Sequence, residues 1–268
     1  MARLAPACLV AFAWIASAPA LAGPYTEPGY TPAEMMAWAT DVAAFDRGPL
    51  DIANPALGDA SQGTPETALG PVTGTDLFDV VSLGDGGTIT LQFDSGIGDG
   101  PGDDLAVFEN GFYGPDGLFA ELAFVEVSSN GVDFARFPSI TLQRDPVPAF
   151  GTLDPSDLHD FAGKQPIGLG TGFDLAELAD DPLVTQGRVD LQHIAYVRVV
   201  DVIGNGSTFD SENDPVYDPY PTPFAQGGFD LQGVGVIHPM PEPDGTALLE
   251  AGIAAIAALP RTRRARAI

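Results

Sequence analysis

The chain has 268 residues, carrying 37 Asp and Glu against 11 Lys and Arg for a formal net charge of −26. An acidic balance of that size argues against nucleic acid and anionic lipid surfaces as partners. The single cysteine, Cys8, lies near the N-terminus, so the body of the chain has neither a disulfide framework nor thiolate chemistry.

Residues 1–22 read as a secretory signal peptide, with Arg3 as the positive region, Ala5 to Ala16 as the apolar stretch and Ala20-Leu21-Ala22 as a small-x-small cleavage site. Cys8 falls upstream of most of that apolar stretch, the wrong place for a lipid-modified cysteine. Cleavage leaves Gly23 as the first residue of a segment ending near Met240, long enough for one sizeable β-domain, and 23–240 is expected to be a single domain. That segment holds 34 Asp and Glu against 6 Lys and Arg, a balance of −28, so its carboxylates must be widely solvated or neutralised in clusters by divalent cations.

Thr31-Pro32-Ala33-Glu34 has the form of a capping box and predicts a short N-terminal helix running to about Phe45. A Pro-, Gly- and Asp-rich stretch from Gly48 to Gly74 reads as an ordered loop. Ile89, Leu91 and Phe93 then alternate with polar residues, and Gly84-Asp85-Gly86-Gly87 separates them from the Phe78 to Leu83 run, which predicts a hairpin. A second hairpin is predicted from Ala123, Val125 and Val127 through Asn130-Gly131 into Val132 to Phe137. Minor helical insertions are expected after Asp154-Pro155 and over Phe173 to Ala179, and further strands over Ile194 to Val202 and Phe229 to Ile237. Dispersed strands without alternating long helices predict an all-β fold, an antiparallel β-sandwich of the jelly-roll, galactose-binding-like kind.

Two acidic groups carry the expected chemistry. The first is Asp94, Asp99, Asp103 and Asp104, in a Gly-rich loop leading to Glu109, which shares a strand face with Leu105 and Val107 and therefore points coreward. The second is Asp201, which shares a face with Val197 and Val199, together with Asp210, Glu212, Asp214 and Asp218 and with Asp230 at the start of the last strand. Calcium takes six to eight oxygen ligands in adaptable geometry, so both groups are candidate Ca2+ ligands, drawn together or holding separate ions; solvated turns are the alternative. Tyr217, Tyr220 and Phe224, in a Pro-stiffened loop, are candidate ligand-binding residues able to stack on a sugar or peptide, or else to pack as a lid. His159, His193 and His238 are scattered without zinc spacing and read as surface or turn residues. No residue is assigned a catalytic role, although Glu109, Glu121 and Glu126 would be the acid and base of a glycosidase-type reaction.

Residues 241–268 are organised differently: Pro241-Glu242-Pro243, an apolar run from Thr246 to Leu259, then Arg261, Arg263, Arg264 and Arg266. This order resembles the PEP-CTERM sorting tail, and the segments VVSLGDGGTITLQF, DGPGDDLAVFENGF, FAELAFVEVSSNG and PTPFAQGGFDLQGVGV are similar to blocks of the secreted bacterial proteins that carry it. Glu250 and Pro260 depart from the tail's pattern. The resemblance implies export to the surface or exterior of a Gram-negative bacterium, with membrane contact only through the tail and an exosortase-type enzyme as a processing partner. The combined expectation is a non-catalytic, calcium-stabilised module binding polysaccharide or matrix; a passive structural component of envelope or biofilm and a secreted carbohydrate-active hydrolase are the alternatives.

Overall fold

A computed structural model describes residues 23–115 and 117–240. The expected signal peptide and the expected sorting tail lie outside the described residues. Among the described residues no helix is long and apolar enough to cross a membrane.

The chain is all-β, built on two five-stranded antiparallel sheets. In the first, Ala37–Trp38, Asp230–Val236, Leu105–Glu109 and Gly170–Phe173 lie side by side, with Val81–Ser82 also paired to Asp230–Val236. The second runs Asp41–Asp46, Thr88–Ile97, Ile194–Asp201, Ala123–Ser128, Ala135–Arg136. Period-two alternation gives each sheet an apolar inner face, with Leu105, Val107, Val234 and Val236 from the first meeting Ile89, Leu91, Val125, Val127, Val197 and Val199 from the second in one core cluster. A smaller cluster around Leu118, Leu122, Phe124, Phe161 and Val216 lies under the loops.

The expected helix from Thr31 to Phe45 is corrected. The capping box forms, but it opens only a 3-10 turn at Pro32–Glu34, and the chain then enters the strands Ala37–Trp38 and Asp41–Asp46. The cause is a β-bulge: Val42 pairs with Leu91, the register shifts before Ala44, and Phe45 pairs with Ile89. One inserted residue puts Val42 and Phe45 on the same sheet face, so their helix-like spacing serves a strand. The minor helical insertions are likewise 3-10 turns, Pro155–Asp157 capped by Asp154 and Leu175–Leu178 capped by Asp174, and Phe173 ends a strand instead of opening a helix.

The first predicted hairpin is also corrected. Val81–Ser82 pairs with Asp230–Val236 in one sheet while Thr88–Ile97 belongs to the other, so the Gly84 to Gly87 turn carries the chain between sheets. Gly87 is required there, because a Cβ on it would lie 1.9 Å from the Leu83 carbonyl oxygen. The second hairpin forms as expected: Glu126 pairs with Arg136 and Val127 with Ala135, and the Asn130 carbonyl oxygen of the side chain accepts from the amides of Val132 and Asp133 across the turn.

Candidate functional site

One end of the sandwich gathers buried carboxyl groups beneath an aromatic pocket. Strand pairing puts Leu231 opposite Glu109, and Asp230 opposite Ser82, so Glu109 and Asp230 close neighbouring ends of one sheet. Glu121 comes from the segment between the short Gly117–Phe119 strand and Ala123–Ser128. All three are buried, with Glu109 2%, Glu121 4% and Asp230 3% exposed.

Their hydrogen bonds are unequal. Asp230 is well satisfied, accepting from the Ser82 hydroxyl on one oxygen and from Asn110 Nδ2 at 2.8 Å on the other. Glu109 accepts from the Gly111 amide. Glu121 Oε1 is buried with no hydrogen-bond partner. Burial is the largest cause raising the pKa of each group. The negative fields of Asp230 and Asp218 add to it at Glu109 and Glu121, and Glu109 itself raises Glu121 further. Carboxyls so placed keep protons well above the ordinary range and act as hydrogen-bond donors as well as acceptors.

Above Glu121 and Asp230 lies a pocket of about 210 Å3, walled by Phe78, Phe112, Phe119, Phe150 and Phe224 with Asn110 and Gln226 at its edge. Four of the rings form a chain of stacks: Phe112 on Phe119 at 5.1 Å, Phe119 near Phe150 at 6.5 Å, and Phe150 on Phe224 at 5.7 Å with planes 9° apart. Phe150 is 71% exposed and adopts φ 61°, a conformation rare for a bulky side chain. Phe78 and Phe112 are also largely exposed. Apolar rings held in solvent around a polar floor form the kind of concave surface that takes a ligand.

The sequence-derived site residues divide among several places. Glu109, Asp230 and Phe224 belong to this end of the molecule. Asp94 is exposed on its strand. Asp99 and Asp104 come together with Asp174, with one carboxylate oxygen from each lying within 4.8 Å of the others. Asp104 is fully buried; it accepts from the amides of Gly100 at 2.7 Å and Leu175 at 2.8 Å, and contacts His238 Nδ1 at 2.8 Å. Asp103 stands apart, lining a small cavity beside His159. Asp201 accepts from the amides of Gly86 and Phe229, and Asp210 from those of Thr141, Glu212 and Asp214. At both, main-chain donors supply the compensation expected from a cation. Tyr217 packs against the smaller core cluster, and the Tyr220 hydroxyl donates to Asp51 at 2.7 Å, so neither faces the pocket.

Sequence reasoning missed Phe78, Phe112, Phe119 and Phe150 and named Glu121 only as a carboxyl of the glycosidase-type alternative. Single phenylalanines among Gly, Pro and Asp were the available signal, since a bulky apolar residue in a turn-forming stretch has no strand face to explain it. Compared with protein-family models and with curated proteins, the chain finds no match in either.

Proposed function

We propose that this is an exported cell-surface or extracellular-matrix protein whose β-sandwich binds saccharide non-catalytically in the Phe-lined pocket. The observation that carries the reading is a ring-walled cavity lined also by Glu121, whose Oε1 is buried without a hydrogen-bond partner among the described residues. Phenylalanine faces suit the C–H faces of a sugar ring, and a buried carboxyl with free hydrogen-bonding capacity suits its hydroxyls. At about 210 Å3 the pocket is smaller than the roughly 300–1,000 Å3 of drug-sized sites, which favours a single ring or a chain end. A jelly-roll of galactose-binding type is the finer fold class in this proposal, and the two antiparallel sheets support it. Export through the leader, exosortase-type processing of the tail and display on a Gram-negative surface complete it, supported by residues 1–22 and 241–268.

Calcium belongs to the proposal at Asp99, Asp104 and Asp174, where carboxylate oxygens converge. Thermal unfolding with calcium and with chelator tests it; a midpoint that does not change removes the ion from the account. The saccharide reading is tested by glycan-array screening followed by calorimetry of Glu121→Gln and Phe224→Ala. Specific binding lost in both variants supports it, and a protein that binds no glycan would instead fit a passive structural role.

A secreted carbohydrate-active hydrolase is the second reading, favoured by one observation: Glu121 and Asp230 are two carboxyl groups lining one pocket. Turnover of the bound saccharide, abolished in Glu121→Gln, would select it over the binding module.

A further inference from the structure

Apart from the aromatic pocket, a cavity of about 60 Å3 is lined by Asp103, Thr171 and Lys164. His159, Asp160 and Glu177 meet at it, and one donor atom from each lies within 4.8 Å of the others. The Glu177 carboxylate is 3.6 Å from His159 Nε2, and the Asp160 carboxylate is 3.8 Å from Nδ1. The Tyr25 ring stacks on the imidazole at 4.9 Å with planes 13° apart, which fixes its orientation.

Two polar atoms in the cavity wall lack partners. Asp160 is 8% exposed and its Oδ2 accepts no hydrogen bond, and Thr171, 5% exposed, has an Oγ1 in the same condition. Leaving such atoms buried and unmatched costs on the order of 1–3 kcal/mol each, more for a charged group, and both belong to residues that line one cavity, which points to something that draws them inward there. Water alone would not answer the charge: Glu27, Asp103, Asp160 and Glu177 line the cavity, and among the described residues that line it Lys164 carries the one permanent positive charge. The Lys164 ammonium is already engaged by Glu27 and the Leu158 carbonyl, both at 2.6 Å.

We infer that His159, Asp160 and Glu177 form a binding site for a divalent transition-metal cation, with Zn2+ as the ion that their mixed nitrogen and oxygen donors suit best. Imidazole with two carboxylates is a zinc-type donor set, whereas calcium takes oxygen alone. Donor atoms in a tetrahedral zinc site with bonds of about 2.0–2.1 Å lie about 3.3 Å apart, so donors now within 4.8 Å of one another close by up to about 1.5 Å on binding, with Glu177 turning from the Nε2 side toward Nδ1. The ion would sit at Nδ1, the nitrogen that the Asp160 carboxylate approaches, and Glu27, whose Oε1 is 4.0 Å from the same nitrogen, or a water supplies the remaining position. This site is separate from the saccharide pocket and does not depend on that reading.

The test uses the untagged full chain, stripped with chelator and titrated with Zn2+. The protein has three histidines, so imidazole NMR resonances report the site directly. The expected result is one Zn2+ per chain, with the His159 resonances moving while those of His193 and His238 stay put. Asp160→Asn keeps the shape and suits a positive φ, and should weaken Zn2+ binding by about 100-fold or more, as should Glu177→Gln. Asp99→Asn, at the other acidic group, should leave it unchanged. Absence of saturable Zn2+ binding, movement of His238 or His193 in place of His159, or unaltered affinity in folded Asp160→Asn and Glu177→Gln would each overturn the assignment. If either variant does not fold, the histidine resonances of the unaltered chain still decide.

Discussion

Stability should fall as pH rises from about 4.5 to 8 in chelator-containing buffer. Eight buried carboxyls among the described residues, Asp85, Asp104, Glu109, Glu121, Asp160, Asp201, Asp218 and Asp230, have pKa values raised above the ordinary range, burial being the largest cause at each. A group whose native pKa lies above its unfolded value binds its proton more tightly in the folded chain. Its stabilisation is complete below the unfolded value and is lost as pH climbs through the native one. Asp85, which accepts from the Ile52 amide, is pushed from 3.8 to about 6. That difference is worth at most about 3 kcal/mol, and the exposed Ile52 beside it marks a loop where solvent screening lowers the figure to about 1–2 kcal/mol. The assay is urea unfolding across this range at high ionic strength, which screens surface repulsion and leaves the buried groups in place. Asp85→Asn should flatten the part of the slope between pH 4 and 6. A midpoint independent of pH, or one rising with pH, would refute the reasoning.

Phe150→Ala should change stability by less than about 0.5 kcal/mol, because the ring is exposed, yet weaken saccharide binding about tenfold; calorimetry and urea unfolding of the same variant separate the two. Glu126 is buried between two arginines, accepting from Arg136 Nε at 2.8 Å and Arg198 Nε at 2.5 Å, with Arg198 3.9 Å above the Phe134 ring. Glu126→Ala leaves both guanidinium groups unmatched on one sheet and should lower unfolding free energy by about 2 kcal/mol, measured in urea. Gly87→Ala should cost about 3 kcal/mol or prevent folding, because the added methyl strikes backbone at the crossing between sheets; soluble yield and thermal midpoint report it.

Legibility in the sequence followed the range of the interaction involved. Ile89, Leu91 and Phe93 show their face by alternation, and Asn130-Gly131 shows its turn by backbone preference, both local properties. Burial of Glu109 and Asp201 followed from the same alternation along Leu105–Glu109 and Ile194–Asp201. The Thr31-Pro32-Ala33-Glu34 capping box misled because a cap shows where a helical turn opens and not how long it runs, and the bulged strand that follows is set by its partner strand. The Gly84 to Gly87 turn looked like a hairpin loop because the partner of Val81–Ser82 lies near the far end of the chain. Glu121 sits outside the Ala123–Ser128 strand, so strand period said nothing of its direction. His159, Asp160 and Glu177 are joined by loop packing across Leu158 and the Leu175–Leu178 turn, which leaves no regular spacing to read.

The most direct test is a crystal structure of the protein with the saccharide selected by array screening. The sugar ring should lie against Phe119, Phe150 and Phe224, with a hydroxyl filling the free valence of Glu121 Oε1. A saccharide seated elsewhere on the sandwich, with the Phe-lined pocket holding only solvent, would contradict the account.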